Sequence, residues 1–144
     1  MKKDEKLTML EKFTNYVMLD WKKSLAIKLM DDTFEEIKAK GQKNPKAIFD
    51  KAIENVMPKI EVRPKRVWGS IYQVPQEVKQ KRQLFLASKW IIESARSKKW
   101  TSFPKFLANE LIEAANETGN AYKKKLEVYK MAAANKAFAR FALR

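Results

Sequence analysis

Cysteine and histidine are both absent from this chain of 144 residues. Without cysteine, neither disulfide bonds nor thiolate metal sites can form. Without histidine, the commonest general base and the commonest metal ligand are missing. Glycine is scarce as well, with 3 residues in the whole chain, so no glycine-rich phosphate loop exists. These absences argue against an enzyme, and neither a cofactor nor a metal ion is expected.

Long apolar runs are also missing. No stretch approaches the roughly 20 apolar residues that are needed to cross a bilayer. The first residues include acidic side chains and lead directly into an amphipathic segment, unlike a secretory signal or an Arg-rich transit peptide. We therefore expect no membrane association and a site of action in the compartment where the chain is made.

Acidic charge is the minority: 17 Asp and Glu stand against 31 Lys and Arg, which gives a net charge of +14. Residues 59–99 hold 11 basic and 3 acidic residues, and residues 120–144 hold 7 and 1. The other segments, 1–58 and 100–119, are close to neutral at net +2 and −2. Because the excess is confined to two blocks, it favours a polyanionic partner over a charge that serves solubility alone.

Hydrophobic periodicity predicts a mainly α, single domain over residues 1–144. Thr8 begins a capping-box pattern, and Asp20 is placed to cap the second helix. Asn44, followed by Pro, is typical of a helix start. The six predicted helices span about 8–19, 22–40, 45–56, 80–98, 102–118 and 121–140. The expected packing residues of the last helix are Leu126, Met131, Ala134 and Phe138.

Between the third and fourth predicted helices, the hydrophobic residues recur at every second position, which is the period of a β-strand. Charged and apolar side chains alternate at first, and a second β-rich run ends at Pro75. This predicts a protruding β-hairpin over about 60–74, with its tip near 65–69. Pro64 fits only if its side of the strand is an edge. Since an isolated hairpin is marginally stable in water, it requires packing or a partner.

Carboxylates give little support to catalysis or to a cation site. The densest acidic group is Asp31-Asp32 followed by Glu35-Glu36. Positions 31 and 32 do not share a helix face, so a solvated surface explains the group better than a bound cation does. Serine nucleophiles lack a histidine to activate them.

Basic side chains gather around the predicted hairpin and in the last helix. Any one cluster is better explained as a solvated face, but four clusters flanking one hairpin favour nucleic acid. Cations at the start of the fourth helix oppose its macrodipole, and nearby phosphates would compensate for this. The clusters are Arg63, Lys65 and Arg66; Lys79, Lys81 and Arg82; Lys98 and Lys99; and Lys123, Lys124 and Lys125.

Two tryptophans call for different interpretations. Trp90 lies in an apolar helical pattern and is expected in the core. Trp68 is placed at the hairpin tip, where it could stack on a splayed base or pack against a neighbouring protein.

Several segments resemble small-subunit ribosomal protein seven of the bacterial and organellar type, in the same order through about residues 7–141. The segments are 55–67, 69–78, 89–96, 107–115, 123–125, 130–131 and 134–139. Near the start, Asp20, Lys22, Lys23 and Ser24 resemble the Gly-Lys-Lys motif of that family.

The resemblance implies a structural constituent of the small ribosomal subunit that binds the rRNA of the head and nucleates assembly of the head. It also implies that the protein forms no homo-oligomer. Its hairpin would lie near exit-site tRNA and the mRNA exit, beside neighbouring ribosomal proteins. The rRNA-binding residues it implies are Lys22, Lys23, Arg63, Lys79, Lys81, Arg82, Lys98, Lys99, Lys123, Lys124, Lys125, Lys130 and Lys136. The tRNA-facing and mRNA-facing residues are Lys65, Arg66, Trp68 and Gly69.

The chain departs from the family pattern at several positions. The family usually has Gly where this chain has Trp21 and Trp68, and His where it has Tyr129 and Arg140. An Arg-rich N-terminal extension is missing. This divergence suggests a mitochondrial ribosome with an organelle-encoded gene; a bacterial cytoplasm or a plastid is the alternative. A free regulator that binds mRNA is the second functional hypothesis, and an RNA-processing enzyme is the third.

Overall fold

The computed structural model describes residues 7–18, 22–98 and 102–142. It confirms a mainly α fold with one antiparallel β-hairpin. The helices are α1 (Met9–Val17), α2 (Lys23–Ala39), α3 (Pro45–Val56), α4 (Gln80–Arg96), α5 (Phe103–Ala115) and α6 (Asn120–Ala134), followed by a 3₁₀ helix (Lys136–Ala142). The strands are β1 (Ile60–Val67) and β2 (Ser70–Glu77).

Local signals explain where the first helices begin and end. Thr8 and Glu11 form the predicted capping box of α1, each side chain satisfying the backbone N–H of the other residue. Asn44 accepts a hydrogen bond from the Ala47 N–H at the start of α3. Gly41 ends the turn after α2 with a φ of 86°, which favours glycine. The predicted cap Asp20 lies outside the described residues.

The core forms where α5 packs against α2, α3 and α4. Phe13 of α1 meets Phe49 of α3 edge-on, with ring centroids 5.1 Å apart. Trp90 is buried among these helices, as predicted. Within the helices, the largest fully buried apolar side chains are Phe13, Phe49, Ile37, Ile53, Ile91, Leu107, Leu111, Val17 and Val56. No helix in the described part of the chain has the length and apolar character needed to span a membrane.

The hairpin is longer than predicted, because β2 continues through Pro75 to Glu77. Pro75 pairs with Val62 and Pro64 pairs with Gln73. The Val78 N–H donates to the Lys59 carbonyl, and hydrogen-bonded pairs alternate along an antiparallel ladder. Both prolines therefore fall at positions that donate no ladder hydrogen bond, which is why neither one ends its strand.

The last helix is shorter than predicted. It ends at Ala134 instead of continuing to residue 140, and the chain turns at Asn135 into the 3₁₀ helix. The packing prediction was also wrong for Leu126, Met131 and Ala134, which are exposed, whereas Ala121 and Ala132 are buried. These two alanines lie 11 residues apart, about three helical turns, so they share the face that meets the core.

An aromatic cluster (Tyr72, Phe138 and Phe141) explains the change of direction. The ring of Tyr72 on β2 lies 5.0 Å from that of Phe138 and 5.3 Å from that of Phe141, between ring centroids. The Lys65 ammonium also donates to the Phe141 carbonyl. The 3₁₀ helix thus packs along the hairpin and supplies the support that a two-stranded sheet needs.

Candidate nucleic-acid interface

Two helices begin with cations where a capping acid or hydroxyl is usual. Lys22 and Lys23 open α2, Lys79 is the N-cap of α4, and Lys81 lies in its first turn. Neither helix has an acidic residue in its first turn or a side-chain hydrogen bond at its N-cap. All four lysines are exposed. Because free N–H groups and the positive end of the helix dipole face the same way, both ends attract anions.

The N-terminus of α6 follows the same pattern. Its N-cap is Gly119, and Lys123 and Lys124 are exposed one turn later. Gly119 has a φ of 91°, and a Cβ there would lie 2.7 Å from a Glu113 carboxylate oxygen. The positive φ favours glycine, and because the carboxylate can move aside, the crowding of a Cβ would come mainly from the Glu113 Cβ at 3.0 Å. Lys130 and Lys136 are exposed further along the same part of the chain.

A buried carboxylate organises the two arginines at the base of the hairpin. Glu61 is 8% exposed and receives hydrogen bonds from the Arg82 Nε at 2.9 and 3.1 Å. The Nε of Arg63 lies 3.0 Å from the same carboxylate. The Arg82 contact joins α4 to β1, whereas Arg63 lies on the same strand as Glu61, and both arginine side chains remain partly exposed. Sequence reasoning missed Glu61, although its place between basic residues in the strand pattern was a usable signal.

Lys98 is engaged within the fold. Its ammonium lies 3.3 Å from a carboxylate oxygen of Glu110, which is buried, and 5.8 Å from the ring centroid of Phe106. An ion pair with a buried partner holds the lysine at the protein surface, so less of its charge is available to a phosphate. Lys99, which was predicted beside it, lies outside the described residues.

The three consecutive lysines of α6 do not share one environment. Lys125 donates to the Asn55 carbonyl at 2.9 Å, and its ammonium lies 5.7 and 5.3 Å from the ring centroids of Tyr122 and Tyr129. Asn55 in turn donates to the carbonyls at the end of α5. Lys125 therefore fastens α6 to α3, while Lys123 and Lys124 face outward.

The hairpin tip carries a different chemistry. Trp68 and Gly69 form the two-residue turn, with φ values of 50° and 82°. Positive φ at both positions is the mark of a type I′ turn. Trp68 is 100% exposed, and Arg66 beside it is exposed as well. From the 3₁₀ helix, the Arg140 guanidinium lies 5.0 Å from the ring centroid of Phe141, close to the same tip.

No group of three or more metal-binding side chains occurs within the described ranges. What the fold and surface do present is a set of outward-facing cations at helix starts and a projecting hairpin with an exposed aromatic tip. These features define the class of basic, mainly α domains whose surface suits a nucleic acid.

Comparison with known proteins identifies the family within that class. The chain belongs to the family described as Ribosomal protein S7p/S5e, whose pattern matches residues 1–136. The resemblance inferred from the sequence is thereby confirmed.

Three similar proteins from bacteria illustrate the relationship. The small ribosomal subunit protein uS7 of Treponema denticola is 48% identical over 130 residues, which cover 90% of this chain and 83% of that protein. The protein of the same name from Moorella thermoacetica is 48% identical over 134 residues, covering 93% and 86%. That from Mycoplasmopsis synoviae is 45% identical over 130 residues, covering 90% and 83%.

Proposed function

We propose that this chain is a structural component of the small ribosomal subunit that binds small-subunit rRNA. The observation that carries the proposal is the placement of exposed lysines at the starts of α2, α4 and α6, in a member of a ribosomal protein family. Such placement is unfavourable to the isolated protein, because each cation opposes a helix dipole, and becomes favourable when phosphates bind there. No catalytic step is part of the proposal.

The exposed cations are the proposed phosphate contacts. They are Lys22, Lys23, Lys79, Lys81, Lys123, Lys124, Lys130 and Lys136. Arg63 and Arg82 would contact phosphate through the N–H groups that Glu61 leaves free. Lys98 and Lys125 are assigned a mainly structural part within this surface, because both already have partners in the fold. The contact of Lys99 with rRNA stays a prediction from the resemblance.

The role of the rRNA contact would be to organise the head of the subunit early in assembly. The hairpin would then project towards exit-site tRNA and the mRNA exit path, with Lys65, Arg66, Trp68 and Gly69 at its end. Neighbouring ribosomal proteins complete the set of proposed partners, and no homo-oligomer is proposed.

A mitochondrial ribosome stays the proposed location, with a bacterial or plastid ribosome as the alternative. The proposal rests on the divergence from the family pattern, and the bacterial origin of the relatives favours neither choice. The location of the gene tests it: a gene on mitochondrial DNA supports the proposal, and a gene on a bacterial chromosome contradicts it.

Co-sedimentation with small subunits in high salt tests the ribosomal role. A structural component stays with the subunit, whereas a free regulator of mRNA is found in the supernatant. A charge-reversal pair sharpens the experiment: Lys123→Glu with Lys124→Glu should weaken binding to a head rRNA fragment. The matched control is Lys28→Glu with Lys51→Glu, two exposed lysines in the interiors of α2 and α3, in the near-neutral part of the chain. Equal losses in the two pairs would contradict the proposed surface.

A further inference from the structure

An apolar groove lies between α1 and α2. Leu7, which precedes α1, and Leu10 on α1 line one side of this α1–α2 groove, and Ile27, Met30 and Phe34 on α2 line the other. The three α2 residues recur at helical spacing, so they share one face of the helix. The groove has a volume of about 230 Å³. This is below the roughly 300–1,000 Å³ of a small-ligand site, so the groove suits one or two side chains of a partner protein better.

The α1–α2 groove leaves large apolar side chains in contact with water. Leu7 and Ile27 are each 46% exposed. The Thr14 hydroxyl, which also lines the groove, donates to the Leu10 carbonyl at 2.8 Å, so its proton is already used within the fold. Two half-exposed aliphatic side chains in one groove mark a surface that a partner covers.

Two carboxylates stand at the edge of the groove. Glu11 and Asp31 line it and are exposed, and neither forms a salt bridge with any residue that the structure describes. Among the described lining residues these two acids stand against one cation, Lys23, in a chain whose net charge is +14. RNA phosphates would be repelled by the carboxylates and would gain nothing from the apolar surface. The groove instead complements a partner that is both apolar and positively charged.

We propose that the α1–α2 groove is a docking site for a basic segment of a neighbouring ribosomal protein. The segment would insert one or two aliphatic side chains between Leu7 and Ile27. Its flanking Lys or Arg residues would pair with Glu11 and Asp31. A second copy of this chain fits less well, because two molecules that each carry +14 repel one another. The inference rests on the proposed function, since the partner is another component of the small subunit.

Photo-crosslinking within small subunits tests the proposal. Because the chain has no cysteine, Ile27→Cys can carry a single benzophenone maleimide label. The labelled full chain is reconstituted into small subunits from its own source, and mass spectrometry identifies what it reaches. We expect a crosslink to another ribosomal protein, in an apolar segment flanked by Lys or Arg. A crosslink to rRNA, to a second copy, to the same chain or to an acidic segment would overturn the proposal, and so would the absence of any crosslink.

Leu25 provides the matched control on the same helix. It is 49% exposed, about as much as Ile27, but it does not line the groove. Labelled Leu25→Cys should therefore not reach the segment that labelled Ile27→Cys reaches. The same crosslink from both positions would contradict the groove as the docking site.

A labelled peptide copied from the crosslinked segment then measures the apolar contribution by fluorescence anisotropy with the purified full chain. Ile27→Ala should bind the peptide about 3- to 10-fold more weakly, because the half of the side chain that is still exposed becomes buried on docking. Leu25→Ala should bind as the wild type does. Equal losses in the two variants, or a peptide that does not bind the wild-type chain, would overturn the proposal.

Adjacent carboxylates test the charge contribution. Asp31 and Asp32 are both exposed, but Asp32 does not line the groove. At low salt, Asp31→Asn should weaken peptide binding about 1.5- to 5-fold, as expected for an exposed ion pair, whereas Asp32→Asn should have no effect. The difference should vanish at about 1 M salt, where exposed charges are screened. Unchanged or tighter binding by Asp31→Asn at low salt would contradict the basic nature of the partner.

Co-sedimentation in the same reconstitution separates this inference from the function on which it rests. A chain that enters the subunits but gives no crosslink from position 27 to a protein overturns the docking site alone. An unlabelled wild-type chain that does not enter the subunits contradicts the ribosomal role itself, and the docking site falls with it.

Discussion

We expect substitution of Lys125 to lower stability, and substitution of its neighbours Lys123 and Lys124 to weaken RNA binding instead. Lys125→Met keeps the aliphatic length but removes the hydrogen bond to the Asn55 carbonyl and two ammonium–ring contacts. A hydrogen bond to a charged group contributes about 1.5–3 kcal/mol and an exposed ammonium–ring contact about 0.5–1 kcal/mol. Because Lys125 is half-buried, we take the lower ends and expect a loss of about 2–3 kcal/mol in the free energy of unfolding.

Thermal unfolding followed by circular dichroism measures this loss. For a chain of this size, 1 kcal/mol shifts the Tm by about 2–4 °C, so Lys125→Met should melt about 5–10 °C lower. The paired variant Lys123→Gln with Lys124→Gln should change stability by less than about 0.5 kcal/mol, since both side chains are exposed. It should instead reduce the salt slope of RNA binding by about 1.4–1.8. A wild-type Tm for Lys125→Met would refute this division of roles.

Three further predictions concern the supports of the hairpin and of α6. Glu61→Gln should destabilise the fold by about 1–2 kcal/mol in urea unfolding, because two partly exposed guanidinium groups lose their shared carboxylate; full wild-type stability would contradict it. Phe141→Ala should speed amide hydrogen exchange in β2 with little change in Tm, since the ring contacts that are lost, with Tyr72, Phe138 and Arg140, lie outside the helical core; unchanged exchange would count against the aromatic cluster as a support. Gly119→Ala should cost about 1–3 kcal/mol of unfolding free energy, because Ala is strained at this positive φ and its Cβ would crowd the Glu113 Cβ at 3.0 Å. Gly41→Ala, which has open space around it, should cost less, and the reverse order would contradict the crowding.

The elements that local chemistry dictates could be predicted from the sequence. Thr8 and Asn44 cap helices through neighbours three residues away, and Gly41 ends a turn through its own backbone, so no tertiary information is needed. Trp90 was placed correctly because its helix carries a continuous apolar stripe.

Features that depend on distant residues could not be predicted in this way. The break at Asn135 follows from the packing of Phe138 and Phe141 on a tyrosine more than 60 residues earlier, and a helical pattern alone carries no sign of that contact. The same limit applies to the lysine clusters. Adjacent positions look equivalent in the sequence, yet Lys125 turns inward because Asn55 offers it a carbonyl.

The contact between Lys65 and Phe141 also sets an order in time, because the two residues are 76 positions apart in the chain. At a synthesis rate of about 5–20 residues per second, the hairpin is made roughly 4–15 seconds before the segment that packs on it. During that interval both strands exist without the aromatic rings of Phe138 and Phe141. The hairpin reaches its final packing only after nearly all of the chain has been made, so α1 to α5 can pack together before the end of the hairpin is complete.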